Sequence, residues 1–144
     1  MQKVLIIAEA GVNHNGDIGL AKEMVDVAYA AGADIIKFQT FKAEKVISLF
    51  APKADYQLVT TGADESQLEM ARKFEMSFDD FRELFDYCNE VGIMFLSTAA
   101  DNESLYFLME LGQKYIKVPS GEVTNLPYLR KVGEFNKKII MSTG

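Results

Sequence analysis

The sequence predicts an α/β fold built on a parallel sheet, and three observations carry that prediction. Five short apolar runs recur along the 144 residues, each ending in a polar cluster: Leu5-Ile-Ile-Ala-Glu9, Ile35-Ile-Lys37-Phe-Gln39, Met94-Phe-Leu-Ser97-Thr98, Tyr115-Ile-Lys117-Val-Pro-Ser120-Gly-Glu122 and Ile139-Ile-Met-Ser142-Thr143. Four of them follow a helix pattern that closes on glycine, at Gly32, Gly92, Gly112 and Gly133, and glycine just past a helix accepts the left-handed cap conformation. Strands that alternate with helices in this way lie parallel, because consecutive parallel strands need a crossover connection. The order is β(αβ)4, which both an open sheet and a closed barrel satisfy. In either, ligands bind at the carboxyl ends of the strands, so the polar groups ending each run are placed for chemistry.

The elements follow in order. The first strand leads into Gly11-Val-Asn-His-Asn-Gly16, which lacks the glycine spacing of a dinucleotide-binding turn, so a barrel gains on a Rossmann sheet. Asp17 offers a cap for the first helix, whose apolar face is read as Leu20, Met24, Val27, Ala28 and Ala31. His14 reads as a loop residue ahead of that helix, and a lone histidine with no partner at metal-ligand spacing is weak evidence for a metal. In the second strand Ile35, Lys37 and Gln39 share one face by the period-two rule. The run from Phe41 to Glu65 exceeds an ordinary connection of ~2–6 residues and is expected to be a lid or binding loop. Ser77-Phe-Asp-Asp80 has the form of a capping box opening the helix that ends near Gly92. The next helix is capped by Asp101 or Asn102 and packs through Leu105, Leu108 and Met109, and Thr124-Asn-Leu-Pro127 starts the fourth.

Composition narrows the function classes. A hydrophobic content of 49% with 25% charged residues is that of a globular protein with one sizeable core. The net charge of −6 and the lack of a basic stripe argue against nucleic acid as a partner. No apolar stretch approaches the ~20 residues that span a bilayer. The start Met1-Gln-Lys-Val has none of the parts of a signal peptide, so no membrane partner and a cytoplasmic location are expected. Cys88 is the one cysteine and shares a stripe with Phe78, Phe81, Leu84 and Phe85, which places it in the core.

Lys37 and Lys117 each sit inside an apolar strand near its end, where an unpaired ammonium is costly to bury, so both should meet an anion. Thr98, Ser120 and Ser142 add hydroxyls at neighbouring strand ends, a combination suited to phosphate oxygens. Glu9 and Glu122 bring carboxylates to the same mouth, as acid, base, polar anchor or salt-bridge partner of a lysine.

Read together, Ile7-Ala-Glu-Ala-Gly-Val-Asn-His-Asn-Gly16, Lys37-Phe-Gln-Thr40, Phe95-Leu-Ser-Thr98, Lys117-Val-Pro-Ser-Gly-Glu122 and Met141-Ser-Thr-Gly144 resemble the sialic acid synthase (NeuB) family across essentially the whole chain. Lys53-Ala-Asp-Tyr-Gln57, Asp64-Glu-Ser-Gln-Leu68 and the stretch from Gly121 to Leu129 look most like its N,N′-diacetyllegionaminate synthases, beside the N-acetylneuraminate synthases. The resemblance implies a (β/α)8 TIM barrel, of which this chain covers about five strands and four helices, residues 1–144 being the N-terminal portion of the catalytic domain. It implies a transferase that condenses phosphoenolpyruvate with the open-chain aldehyde of an N-acetylmannosamine-type sugar, giving a nine-carbon 2-keto acid and phosphate in carbohydrate biosynthesis. By motif, Lys37, Thr98, Lys117, Ser120 and Ser142 fall on phosphoenolpyruvate-binding positions, Gln39 and Glu122 on sugar-contacting positions, and Glu9 on the catalytic carboxylate.

Two departures accompany the match. Ser97-Thr-Ala-Ala100 stands where the family usually has Ser-Thr-Pro-Phe, removing a rigid, bulky wall. The later barrel strands, which in the family bring two histidines for Mn2+ or Mg2+, and the C-terminal antifreeze-like domain, which reaches across a homodimer, are absent. No metal ligands are therefore assigned, no metal is expected to bind this chain alone, and the fragment alone is expected to be inactive. Two rival readings remain: a class I aldolase with Lys37 or Lys117 as Schiff-base nucleophile, and a noncatalytic truncated fragment or interaction module pairing through an open sheet edge.

Overall fold

A computed structural model describes residues 4–48 and 66–144. Strands β1 (Ile7–Gly11), β2 (Ile35–Thr40), β3 (Met94–Ala99), β4 (Tyr115–Val118) and β5 (Lys138–Met141) form one sheet in the order β1-β2-β3-β4-β5. All neighbours are parallel. An open dinucleotide-binding sheet reverses its strand order at a switch point, whereas strands added one beside the next follow barrel order. The fold is α/β of the (β/α)8 type.

The helices are α1 (Ile18–Ala30), α2 (Ala43–Val46), α3 (Gln67–Arg72), α4 (Phe78–Val91), α5 (Asn102–Glu110) and α6 (Leu126–Glu134), with a 3-10 turn at Ser120–Glu122. The sequence predicts four helices, and α2 and α3 are additional to them. A single turn such as α2 has little stability of its own, and here the Ala43 N–H is held by Glu75 at 2.8 Å. Ser66 and Glu69 cap α3 reciprocally, as Ser77 and Asp80 cap α4. Residues 49–65 of the expected long loop, with the Lys53–Gln57 motif, lie outside the described residues.

Two details differ from expectation. Gly92 takes the left-handed cap of α4 at φ 92°, and Gly32 and Gly112 follow their helices at φ 79° and 96°, but Gly133 lies inside α6. Asn136, at φ 49°, turns the chain there instead, the short polar side chain being the usual substitute for glycine. The buried stripe of α1 is Ala21, Val25 and Ala28, while Leu20 and Val27 are exposed. Small side chains let the helix approach the sheet closely, and the larger apolar residues are displaced to its flank, lining a groove beside Ala8 and Ala10.

The core lies between the helices and one sheet face. Phe38 and Phe95 stack across adjacent strands with ring centroids 5.9 Å apart, and Phe81 and Phe85 meet Phe95 edge-on. Cys88 is fully buried there, and burial pushes its thiol up to about 12, so it is inert packing. No described helix is long and apolar enough to cross a membrane.

Between β3 and β4 the ladder is short, the recorded register being Thr98 opposite Lys117. Gln113 fills the gap: its Oε1 accepts from the Ser97 N–H at 2.6 Å, and its Nε2 donates to the carbonyls of Ser97 at 3.0 Å and Tyr115 at 2.8 Å. One buried amide thus replaces the missing backbone pairings, and it fixes how far Thr98 stands from Lys117.

Candidate active site

The sheet face opposite the helices carries the candidate residues. Glu9 pairs with Lys37 in register, and Gln39, Thr98, Lys117 and Ile140 form one row across four strands. Residues directly opposite in neighbouring strands project to the same side, so both lysines share a face, one ladder step apart, on either side of β3. The like charge of Lys37 reaches Lys117 and helps hold its ammonium below its ordinary range, second to burial and opposed by Glu9.

Each residue has a local reason for its place. A register shift between Glu9 and Gly11 bends the end of β1, a device common beside active sites. Gly11 sits at φ +57°, and a Cβ there would lie 3.6 Å from both Gln39 Nε2 and Glu9 Oε1. That is ordinary contact, so it is the left-handed backbone of the turn, and not the space beside the amide and the carboxylate, that favours glycine. Lys37, with 12% of its side chain exposed, forms an ion pair with the half-exposed Glu9. Of the roles left open for Glu9, the salt-bridge partner of a lysine is the one seen. Lys117 Nζ donates to the Val118 carbonyl at 2.7 Å and to Ser142 Oγ at 2.9 Å. The same carbonyl accepts the Ser142 N–H, which locks β5 to β4 at the rim.

Thr98 Oγ1 is buried with no hydrogen-bond partner among the described residues. A buried hydroxyl without a partner costs about 1–3 kcal/mol, and this one stands between Gln39 and Lys117, where a bound anion would satisfy it. The structure thus assembles Glu9, Lys37, Gln39, Thr98, Lys117 and Ser142.

Ser120 and Glu122 are placed differently, on the 3-10 turn that follows β4. Among the described residues the Glu122 carboxylate accepts from the Asn125 amide at 2.6 Å and pairs with no lysine. Glu122 and Ala100 border a cleft of about 670 Å³ between the loops after β2, β3 and β4, with Lys45 and Tyr128 on its walls. Ala100 is exposed on that wall, while the carbonyl of buried Ala99 accepts the Tyr128 hydroxyl at 3.1 Å. The two carboxylates expected at one mouth therefore occupy separate stations, Glu9 on the lysine face and Glu122 in the cleft.

The loops are tied down by further residues that sequence reasoning passed over. Lys42 donates its backbone N–H to Asp101 and its ammonium to Glu75, and lies 4.2 Å over the Phe78 ring. Asp101 at the same time caps α5 through Ser104. The cap signal at Asp101 was legible, but its second bond spans the loop after β2.

His14 lies in the turn ahead of α1, as the sequence predicts, and is wholly buried there. Its Nδ1 accepts the Gly16 N–H at 3.1 Å, so Nε2 carries the hydrogen, and Nε2 has no partner among the described residues. Burial lowers its basicity and keeps it neutral. Among the described residues no group of three His, Cys, Asp or Glu side chains could hold a metal ion. They do not by themselves fit the divalent metal implied by the resemblance, and no step is assigned to one.

Comparison with known proteins shows the family and the fold that the chain resembles. The model of the NeuB family matches residues 24–144. An N,N′-diacetyllegionaminic acid synthase of Campylobacter jejuni is 56% identical over 144 residues, covering 100% of this chain and 43% of the relative. One from Legionella pneumophila is 48% identical over 139 residues, covering 96% and 39%. The crystal structure of an N-acetylneuraminic acid (sialic acid) synthetase from Leptospira borgpetersenii, in complex with citrate, superposes with a TM-score of 0.81 at 29% identity over 99% of this chain and 45% of that one. The chain thus spans less than half the length of these relatives.

Proposed function

The chain belongs to the NeuB family, and from that premise we propose that it carries the phosphoenolpyruvate cradle of a nonulosonate synthase as the N-terminal portion of the catalytic barrel. The acceptor is an N-acetylated amino sugar, and the product a nine-carbon 2-keto acid of the N-acetylneuraminate or N,N′-diacetyllegionaminate type. The carrying observation is the orphaned Thr98 hydroxyl set between Gln39 and Lys117, with the Lys37 ammonium on the same face. Two cations and several hydroxyls on one strand-end face suit a ligand bearing both a phosphate and a carboxylate.

The chemistry follows from charge. C3 of phosphoenolpyruvate attacks the sugar aldehyde, forming the new C–C bond and leaving C2 electron-poor. Water adds to C2, one of its protons going to the alkoxide formed from the aldehyde and the other leaving with phosphate as its C–O bond breaks, which leaves the 2-keto group. Lys117, Lys37, Thr98 and the serines Ser120 and Ser142 bind the anionic groups. When the ligand takes over the Lys37 charge, Glu9 is released from its ion pair and holds the water that adds to C2. Gln39 and Glu122 contact the sugar, and a cleft of about 670 Å³ beside Glu122 lies in the size range of small-molecule sites. Full-length assemblies of the homodimeric kind and a divalent metal belong to the same reading. The aldolase reading is not favoured, since the relatives named above are synthases.

The test is a chimera in which these 144 residues replace the matching segment of the Campylobacter jejuni relative. With manganese, phosphoenolpyruvate and either N-acetylmannosamine or its 2,4-diacetamido-6-deoxy relative, it should release phosphate in step with 2-keto acid. Absence of turnover with every such sugar, under conditions where the unaltered relative is active, would refute the proposal.

A further inference from the structure

Asn125 enters the sequence only as part of a helix-start signal, yet its side chain makes two bonds that point in different directions. Its Oδ1 accepts the Tyr128 N–H at 3.2 Å as the cap of α6. That bond settles which end of the amide faces the helix, so Nδ2 is turned outward, and it donates to Glu122 Oε2 at 2.6 Å. The backbone repeats the link: the Asn125 N–H donates to the Glu122 carbonyl at 3.0 Å, and the Glu122 N–H to the Pro119 carbonyl at 3.0 Å. Helix α6 is itself anchored, because Tyr128 is 4% exposed and its hydroxyl donates to the Ala99 carbonyl at the end of β3.

We propose that Asn125 is a positioning residue for the acceptor sugar: it fixes one oxygen of the Glu122 carboxylate and leaves the other to the cleft. The inference rests on the reading of Glu122 as a sugar-contacting group. A carboxylate on a three-residue turn beside solvent has rotamers to lose, and fixing it before the ligand arrives removes an ordering cost from binding. The residue type is constrained from both sides. Serine, threonine or aspartate would cap the helix as well, but aspartate would set a second anion against Glu122, and the hydroxyls are too short to match both bonds of the amide.

That separation makes the test selective. In the chimera, Asn125→Asp keeps the cap, so the thermal midpoint should stay near that of the parent, while kcat/KM for the sugar falls roughly tenfold to a hundredfold, the range of a lost charge-assisted hydrogen bond. KM for phosphoenolpyruvate should not move. Asn125→Ala should lower both the midpoint and the sugar kcat/KM. A role in helix capping alone predicts an unaltered Asn125→Asp enzyme, and sugar kinetics within about twofold of the parent would overturn the proposal. A second measurement is independent of turnover: in the 144-residue chain, Glu122→Gln should shift the NMR signals of the Asn125 side-chain amide and leave the Tyr128 backbone amide in place. Unmoved side-chain signals would overturn the proposal even if the chimera is active. An inactive parent chimera with the expected shift would instead count against the reading of the site, not against the Asn125 contact.

Discussion

Glu9 and Lys37 form one ion pair, and their removal should have opposite effects on ligand binding. In the free chain the charge of Lys37, 12% exposed, is already compensated by Glu9, 54% exposed. An anion entering the cradle must displace that carboxylate or sit beside it. A pair with one partner half in solvent is worth at most about 1 kcal/mol, so Glu9→Gln should tighten phosphoenolpyruvate binding by up to about fivefold at 1.4 kcal/mol per tenfold. Lys37→Met removes a charge-assisted hydrogen bond of about 1.5–3 kcal/mol and should weaken binding roughly 10- to 150-fold. Titration calorimetry of phosphoenolpyruvate into the 144-residue chain and the two variants reads both effects. Repeating it at ionic strengths on either side of about 0.15 M, where the Debye length is ~8 Å, should shrink the Glu9→Gln gain. In the chimera the same Glu9→Gln substitution should abolish turnover although it improves binding. If both variants bind more weakly, Glu9 does not compete with the ligand, the pair is scaffolding, and its release on binding is wrong.

Three further outcomes follow from the same geometry. Burial, then the like charge of Lys37, holds Lys117 below its ordinary value of 10.5, so phosphoenolpyruvate affinity should fall as pH rises through that lowered value and the ammonium is lost. Lys37→Met should move this alkaline limb upward, and a limb that stays put would show that the lysines do not share a site. Gln113→Leu leaves the Ser97 N–H, the Ser97 carbonyl and the Tyr115 carbonyl without their partner. At about 1–3 kcal/mol for each of the two buried Ser97 groups, urea unfolding should show a loss of about 2–6 kcal/mol, and a loss under about 1 kcal/mol would disprove the bridging role. His14, held neutral by burial, has its folded-state basicity below the unfolded value of 6.5. The unfolded chain then binds the extra proton first, so stability should fall as pH drops below about 6.5, by at most about 1.4 kcal/mol per pH unit. His14→Gln should flatten that part of a denaturation-midpoint profile.

The strand-end signals were legible because they depend only on local rules. A period of two placed Lys37 and Gln39 on one face, and the register shows that Thr98 and Lys117 continue the row of Gln39, one step beyond Lys37. The capping box at Ser77 and the cap at Asp101 were equally plain, since a cap is chemistry between residues three apart. What escaped were contacts whose partners are distant in sequence or whose meaning depends on depth. The loop between β1 and α1 gave no sign that His14 would be entirely inside. Gln113 is a polar residue just after a helix that nothing in the sequence singles out, and only the short ladder between β3 and β4 gives its amide a purpose. The face of α1 shifted because hydropathy ranks leucine and valine above alanine, whereas close helix-on-sheet packing favours the alanines.

The caps also change how the site should be understood. Asp101 caps α5 and holds the loop after β2 through the Lys42 N–H; Asn125 caps α6 and holds Glu122; Tyr128 fastens that helix to the end of β3. In Asp101 and Asn125 one atom of the side chain satisfies a helix terminus and another reaches a loop at the strand ends. The helix supplies rigidity, and the free atom transmits it to a group at the strand ends. Substitutions that keep a cap but alter its second bond should therefore separate stability from chemistry, whereas those that remove the whole side chain should lose both.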